Sequence, residues 1–216
     1  MQYKEVTGGI CAPKGFAAAG VHCGIRANHT EKYDLALIKA DVRCAAAGVY
    51  TTNKVCGAPI KVDRAHLADG YAQAIVVNSG NANTCAANGV ALAEECCELV
   101  GKALDIDAMD VLPASTGVIG QPMVIDPFAR GIPAAEEAAR EWNVVMQLLD
   151  EMARLLGSQG ITVPEYEDLF SLLLRSSDLG HIPQTLDAVV LASAGKMRLD
   201  APDYVFVLGL AEGEFP

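Results

Sequence analysis

Apolar residues fall in short runs along the first part of the chain and at helical spacing further on. The runs predict strands at 34–41 and 74–78, and the β-branched and aromatic residues of 47–52 predict a third. After 74–78 comes a polar stretch and then a helix ending near Leu104. Ala93, Cys96 or Cys97, Val100 and Leu104 give it an apolar stripe. Val111-Leu112 leads into a Ser-Thr-Gly turn at 115–117. Pro133 is expected to open a helix that runs to Leu156 and stops at Gly157. Its apolar face is Trp142, Val145, Leu148 or Leu149, Met152 and Leu156, with Trp142 as a core anchor. A second helix is expected over 164–176, with Pro164 in its first turn. Strands follow at 187–192 and 204–210, the latter apolar throughout. The class is α/β.

Charge divides the chain. Residues 1–132 carry a net of −2 and residues 133–216 a net of −9, within a total of −11 over 216 residues. An acidic chain argues against a nucleic-acid partner, because phosphate contacts need a basic face. No apolar run is long enough to span a bilayer, so no membrane association is expected. All seven cysteines (11, 23, 44, 56, 85, 96 and 97) lie before residue 133 without a Cys-x-x-Cys pair. Together with an N-terminus lacking an apolar signal region, they read as reduced thiols in a cytoplasmic protein, with no metal site. The apolar run at 204–210 needs covering neighbours, and the sequence ends six residues later, which reads as a truncation.

The candidate chemistry centres on Ser115-Thr116-Gly117. A hydroxyl beside a free backbone N–H supplies the two donors of an oxyanion hole, where charge develops during acyl transfer. Asn78, Asn81 and Asn83 lie where a strand meets a helix. Two readings stand for this segment: backbone N–H groups facing a substrate carboxylate, or a polar loop with an Asn cap. Lys14 and Lys54 read as surface lysines, His22 as a hydrogen-bonded core histidine, and Cys96-Cys97 as helix packing.

Five segments then fall in register with one family. They are residues 12–16, 19–25, 48–55, 76–83 and 115–122, among them Val76-Val77-Asn78-Ser79-Gly80-Asn81-Ala82-Asn83 and Ser115-Thr116-Gly117-Val118-Ile119-Gly120-Gln121-Pro122. Residues 1–132 resemble the N-terminal region of ornithine acetyltransferase (glutamate N-acetyltransferase) of arginine biosynthesis. The resemblance implies transfer of an acetyl group from N-acetylornithine, or from acetyl-CoA as substrate, to glutamate with no cofactor. It implies a covalent route through a threonine nucleophile and assigns the oxyanion hole to Thr116 and Gly117. In that family the nucleophile is the threonine of an Ala-Thr step, freed when the precursor cleaves itself. This sequence contains no Ala-Thr step. A β-chain is therefore needed to complete the site, and this chain alone is expected to be inactive.

Residues 138–216 resemble an internal slice of the B subunit of AddAB-type helicase–nucleases, most specifically at Gly209-Leu210-Ala211-Glu212-Gly213-Glu214-Phe215-Pro216. The expected organisation is an incomplete acetyltransferase-like region at 1–132 joined to a helicase-like fragment at 133–216, made of a helical segment plus two strands. The alternative functions are a non-catalytic piece of a DNA-repair helicase–nuclease, acting through protein partners, or a non-functional fusion product.

Overall fold

The computed structural model describes residues 9–26, 32–157 and 160–176. The chain divides into two compact units, 1–179 and 180–216, and the described residues all belong to the first. The strands expected at 187–192 and 204–210 lie outside the described residues.

Four strands form one sheet: β1 (Phe16–Val21), β2 (Leu35–Ala45), β3 (Tyr71–Asn81) and β4 (Val111–Val118), in that spatial order. The first two pairings are antiparallel, and β3 pairs with β4 in parallel. A parallel pair needs a crossover; here it contains α2 (Gly89–Leu104). Helix α1 (Ala58–His66) precedes β3, α3 (Asp126–Leu156) follows β4, and α4 (Val163–Ser176) follows α3.

Alternation sets the core. Ala72, Ala74, Val76 and Asn78 of β3 are buried, whereas Tyr71 and Ile75 are exposed. Leu35, Leu37, Val76 and Val111 of the sheet meet Val62 of α1, Cys96, Cys97 and Val100 of α2, and Phe128 and Ile132 of α3. The stripe expected on α2 is the one it buries, and Asp105 closes that helix in the left-handed region. At the amino ends of β3 and β4, Arg43 pairs with Asp69 and, at 2.7 Å, with Asp110, and its guanidinium lies over the Tyr71 ring.

Three expectations need correction. Residues 47–52 form no strand: β2 already has a neighbour on each side, and Val49 is fully exposed. The segment is held instead from α1, where Arg64 stacks on Tyr50 and donates to the Thr51 carbonyl at 3.2 Å. Pro133 does not open a helix; it lies inside α3, which starts seven residues earlier with Asp126 in its first turn and Pro127 behind it. Helix α3 thus runs unbroken past residue 132, where the charge balance shifts. Trp142 is 50% exposed and anchors no core, although Leu148 and Met152 further along α3 are buried. Gly157 ends α3 as expected, with φ +53°. Before α4, Thr162 and Glu165 form a capping box: the Glu165 carboxylate accepts from Thr162 N–H at 2.8 Å, and Glu165 N–H reaches Thr162 Oγ1 at 3.5 Å.

Candidate active site

Ser115, Thr116 and Gly117 do not form the expected turn. They continue β4 and pair with three residues of β3: Ser115 with Asn78, Thr116 with Ser79, and Gly117 with Gly80. Small residues on both strands make this possible. Gly117 has φ +133°, and a Cβ on it would lie 2.3 Å from the Gly80 carbonyl carbon and 2.6 Å from Asn81 N. Only glycine fits there. Thr116 and Gly117 are exposed, and among the described residues the Thr116 hydroxyl makes no hydrogen bond. By alternation Thr116 shares a face with Ser79, while Ser115 turns inward with Asn78.

The three asparagines are buried and engaged in holding backbone. Asn78 Nδ2 donates to Asn81 O at 2.8 Å, Asn81 Nδ2 to Pro122 O at 3.1 Å, and Asn83 Nδ2 to Gly89 O at 2.7 Å. Two main-chain donors of the segment are taken as well: Ser79 N–H by Asp34 O at 2.8 Å, and Ala82 N–H by Val118 O at 2.9 Å. The side chains thus tie the strand end to its flanks through their amide nitrogens, while Asn81 Oδ1 and Asn83 Oδ1 are buried without a partner. Helix α2 begins with Asn88 at its N-cap but without a side-chain cap bond. A small cavity beneath the strand ends is lined by Asn78, Asn83, Ser115, Cys96 and Phe128, on the inner face.

Asp34 is a residue that the sequence did not single out. It is 1% exposed, and its carboxylate accepts from the N–H groups of Cys23 (2.7 Å), Gly24 (3.2 Å) and Arg26 (2.9 Å). Burial pushes its pKa up, but these donors and nearby His22 outweigh burial and hold it below the ordinary carboxylate value. His22 is hydrogen-bonded as expected but is not a core residue: it is partly exposed, and its Nδ1 lies 3.1 Å from Lys32 O and 3.2 Å from Asp34 Oδ2. Asp34 so fixes residues 23–26, and Arg26 Nη2 donates to Ser79 Oγ. The sequence signals for Arg26, Ser79 and Gly80 were present inside the recognised segments or beside them. Their convergence requires the β3–β4 register.

Lys14 and Lys54 are exposed, as surface lysines are. Burial and the Asp34 carboxylate push the Cys23 thiol up to about 12, and burial does the same to Cys96. Among the described residues no group of three His, Cys, Asp or Glu side chains could hold a metal ion.

A mixed four-stranded sheet with helices packed on it, carrying an exposed hydroxyl and a glycine at the tip of its parallel pair, is an α/β fold. The chain belongs to the ArgJ family, which it matches over residues 17–156. It is 46% identical over 134 residues to the arginine biosynthesis bifunctional protein ArgJ of Symbiobacterium thermophilum, a match that covers 62% of this chain and 33% of the relative. The ArgJ of Thermosynechococcus vestitus is 44% identical over 137 residues, covering 61% and 31%. The chain spans about a third of the length of these curated relatives. Its fold is similar to the crystal structure of ArgJ from Bacillus halodurans, with a TM-score of 0.56 at 36% identity over 63% of this chain and 74% of that one. Ornithine acetyltransferase from Mycobacterium tuberculosis, solved with ornithine, has a TM-score of 0.56 at 37% identity over 59% and 69%. No helix among the described residues is long and apolar enough to cross a membrane.

Proposed function

We propose that this chain supplies the oxyanion-stabilising part of an acetyltransferase of arginine biosynthesis, which moves acetyl from N-acetylornithine, or from acetyl-CoA, to glutamate. The observation that carries the reading is the exposed Thr116–Gly117 pair at the tip of β4, with Gly117 seated against Gly80 so that no side chain can fill the position. The Thr116 hydroxyl and the Gly117 N–H stabilise the oxygen of the tetrahedral intermediate. The nucleophilic threonine comes from a β-chain, since this sequence holds no Ala-Thr step; the chain alone has no turnover. The ornithine seen in the Mycobacterium tuberculosis enzyme supports an amino-acid substrate.

The test is to add a nucleophile-bearing β-chain from a relative and measure acetyl transfer from N-acetylornithine to glutamate. Activity should appear only with both chains, and Thr116→Ala should lower kcat by about 100- to 1,000-fold. A stable complex without transfer overturns the reading.

For the C-terminal part we propose a second origin, a helicase–nuclease B-subunit-like fragment that contributes no chemistry to this site. Its support is the motif at 209–216 and the excess negative charge after residue 132. The family match reaches residue 156, so the two likenesses overlap over 138–156. Single long reads of the source DNA across codons 120–150 test the join. A continuous product makes it genetic; two separate complete genes make it an artefact.

A further inference from the structure

Arg26 sits at the tip of β3 by construction. Asp34 fixes its loop through three N–H groups, including that of Arg26 itself. Gly80 leaves room for its stem: a Cβ there would lie 2.4 Å from Arg26 Cγ. The guanidinium donates from Nη2 to Ser79 Oγ, while its Nε is buried without a partner. Among the described residues Arg26 forms no ion pair, unlike Lys39, Arg43 and Arg154. A guanidinium is always charged and presents its donors as a planar fork matched to a carboxylate. An unmet buried donor of that fork is unfavourable until a ligand fills it.

The position also fits the chemistry. Ser79, which Arg26 contacts, is the register partner of Thr116, so the cation lies against the strand next to the one that carries the candidate oxyanion donors, the two strand backbones being about 4.8 Å apart. In an N-acetyl amino acid the acetyl carbonyl carbon and the α-carboxylate carbon are separated by three bonds, under about 4 Å. The end of β4 can therefore hold the reacting carbonyl while Arg26, lying against β3, holds the carboxylate.

We infer that Arg26 binds the α-carboxylate of an N-acyl amino acid, an inference that rests on the acyl-transfer reading of Thr116 and Gly117. The carboxylate takes Nε and Nη2 side-on and displaces the Ser79 hydroxyl from the guanidinium. Arg26 is a binding residue; it makes and breaks no covalent bond.

The experiment follows the Arg26 Nε–H and Gly117 amide signals of the full chain by nitrogen-15 NMR. The titrants are N-acetyl-L-glutamate and its α-amide, N-acetyl-L-isoglutamine. The acid should shift both signals saturably, and the α-amide should bind at least about tenfold more weakly. Arg26→Gln should lose affinity for the acid by a similar factor, and Arg26→Lys should keep part of it. The native-chain signals decide the matter even where a variant folds poorly. A shifted Gly117 with an unmoved Arg26 and undiminished binding by Arg26→Gln overturns the role of Arg26 and leaves the acyl site standing. No shift at Gly117 from either compound overturns both.

Discussion

Replacing Gly117 with alanine tests whether the tip of the sheet is built on a close backbone approach. The added methyl would lie 2.3 Å from the Gly80 carbonyl carbon, 2.5 Å from its oxygen and 2.6 Å from Asn81 N. Comfortable carbon contacts are about 3.5–4.0 Å, so the shortfall exceeds about 1 Å. All three obstructing atoms are backbone, and no rotamer change relieves them; β4 must part from β3. Overpacking of this kind costs about 1–3 kcal/mol. At φ +133° an alanine adds about 1–3 kcal/mol of backbone strain. The sum, about 2–6 kcal/mol, is limited above by the free energy of fraying the strand ends beyond Ser79 and Thr116. For a domain of this size each kcal/mol lowers Tm by about 2–4 °C, so a fall of roughly 4–24 °C is expected by circular dichroism, with a matching loss in urea. Gly120→Ala is the control: its φ is +88°, yet nothing lies within 4 Å of the added methyl. It should cost only the strain. If the two variants lose equal stability, or Gly117→Ala loses less than about 1 kcal/mol, the close-approach argument is wrong.

Three further outcomes follow from buried groups. Asp34→Asn should cost about 2–4 kcal/mol in urea unfolding, because a charged acceptor of three N–H groups becomes neutral. Since the folded pKa of Asp34 is lowered, its contribution is full above the unfolded value near 4 and fades as pH falls through the folded one. An unchanged acid limb in the variant would refute this. Asp63 behaves oppositely: burial raises it to about 6 against the opposing effect of His66, so its contribution is full below about pH 4 and is lost as pH rises through about 6. Asp63→Asn should therefore stabilise the protein by about 1–2 kcal/mol at pH 8 and by nothing near pH 4, read from urea midpoints at the two pH values. In thiol labelling of the native chain, exposed Cys85 should react first, and buried Cys96 and Cys97, whose thiols burial pushes up, should react only on unfolding. Equal rates would contradict that packing.

What could be read from the sequence was whatever a segment decides for itself. The apolar run at 74–78 could only be a covered strand. The stripe through Ala93, Cys97 and Val100 could only be a buried helix face, and Gly157 had to end what preceded it. The errors came where a distant partner decides. Residues 47–52 have the right residues for a strand, but no edge of the sheet receives them. Trp142 continues the phase of Phe128, Ile132, Ala135 and Ala139, all of them buried. A 31-residue helix is about 46 Å long, however, and outruns a four-stranded sheet. Beyond the sheet's edge the same phase points Trp142 at solvent. The site shows the rule most clearly. Ser115-Thr116-Gly117 looks like a turn because its residues are small, and Ser79-Gly80-Asn81 looks like a loop for the same reason. Placed in parallel register they become two strands whose backbones touch, which neither segment signals alone. Asp34 and Arg26 then reach that tip from a loop before β2. The candidate oxyanion donors were therefore legible as residues, through resemblance, while the surroundings that hold them depend on pairings between segments tens of residues apart.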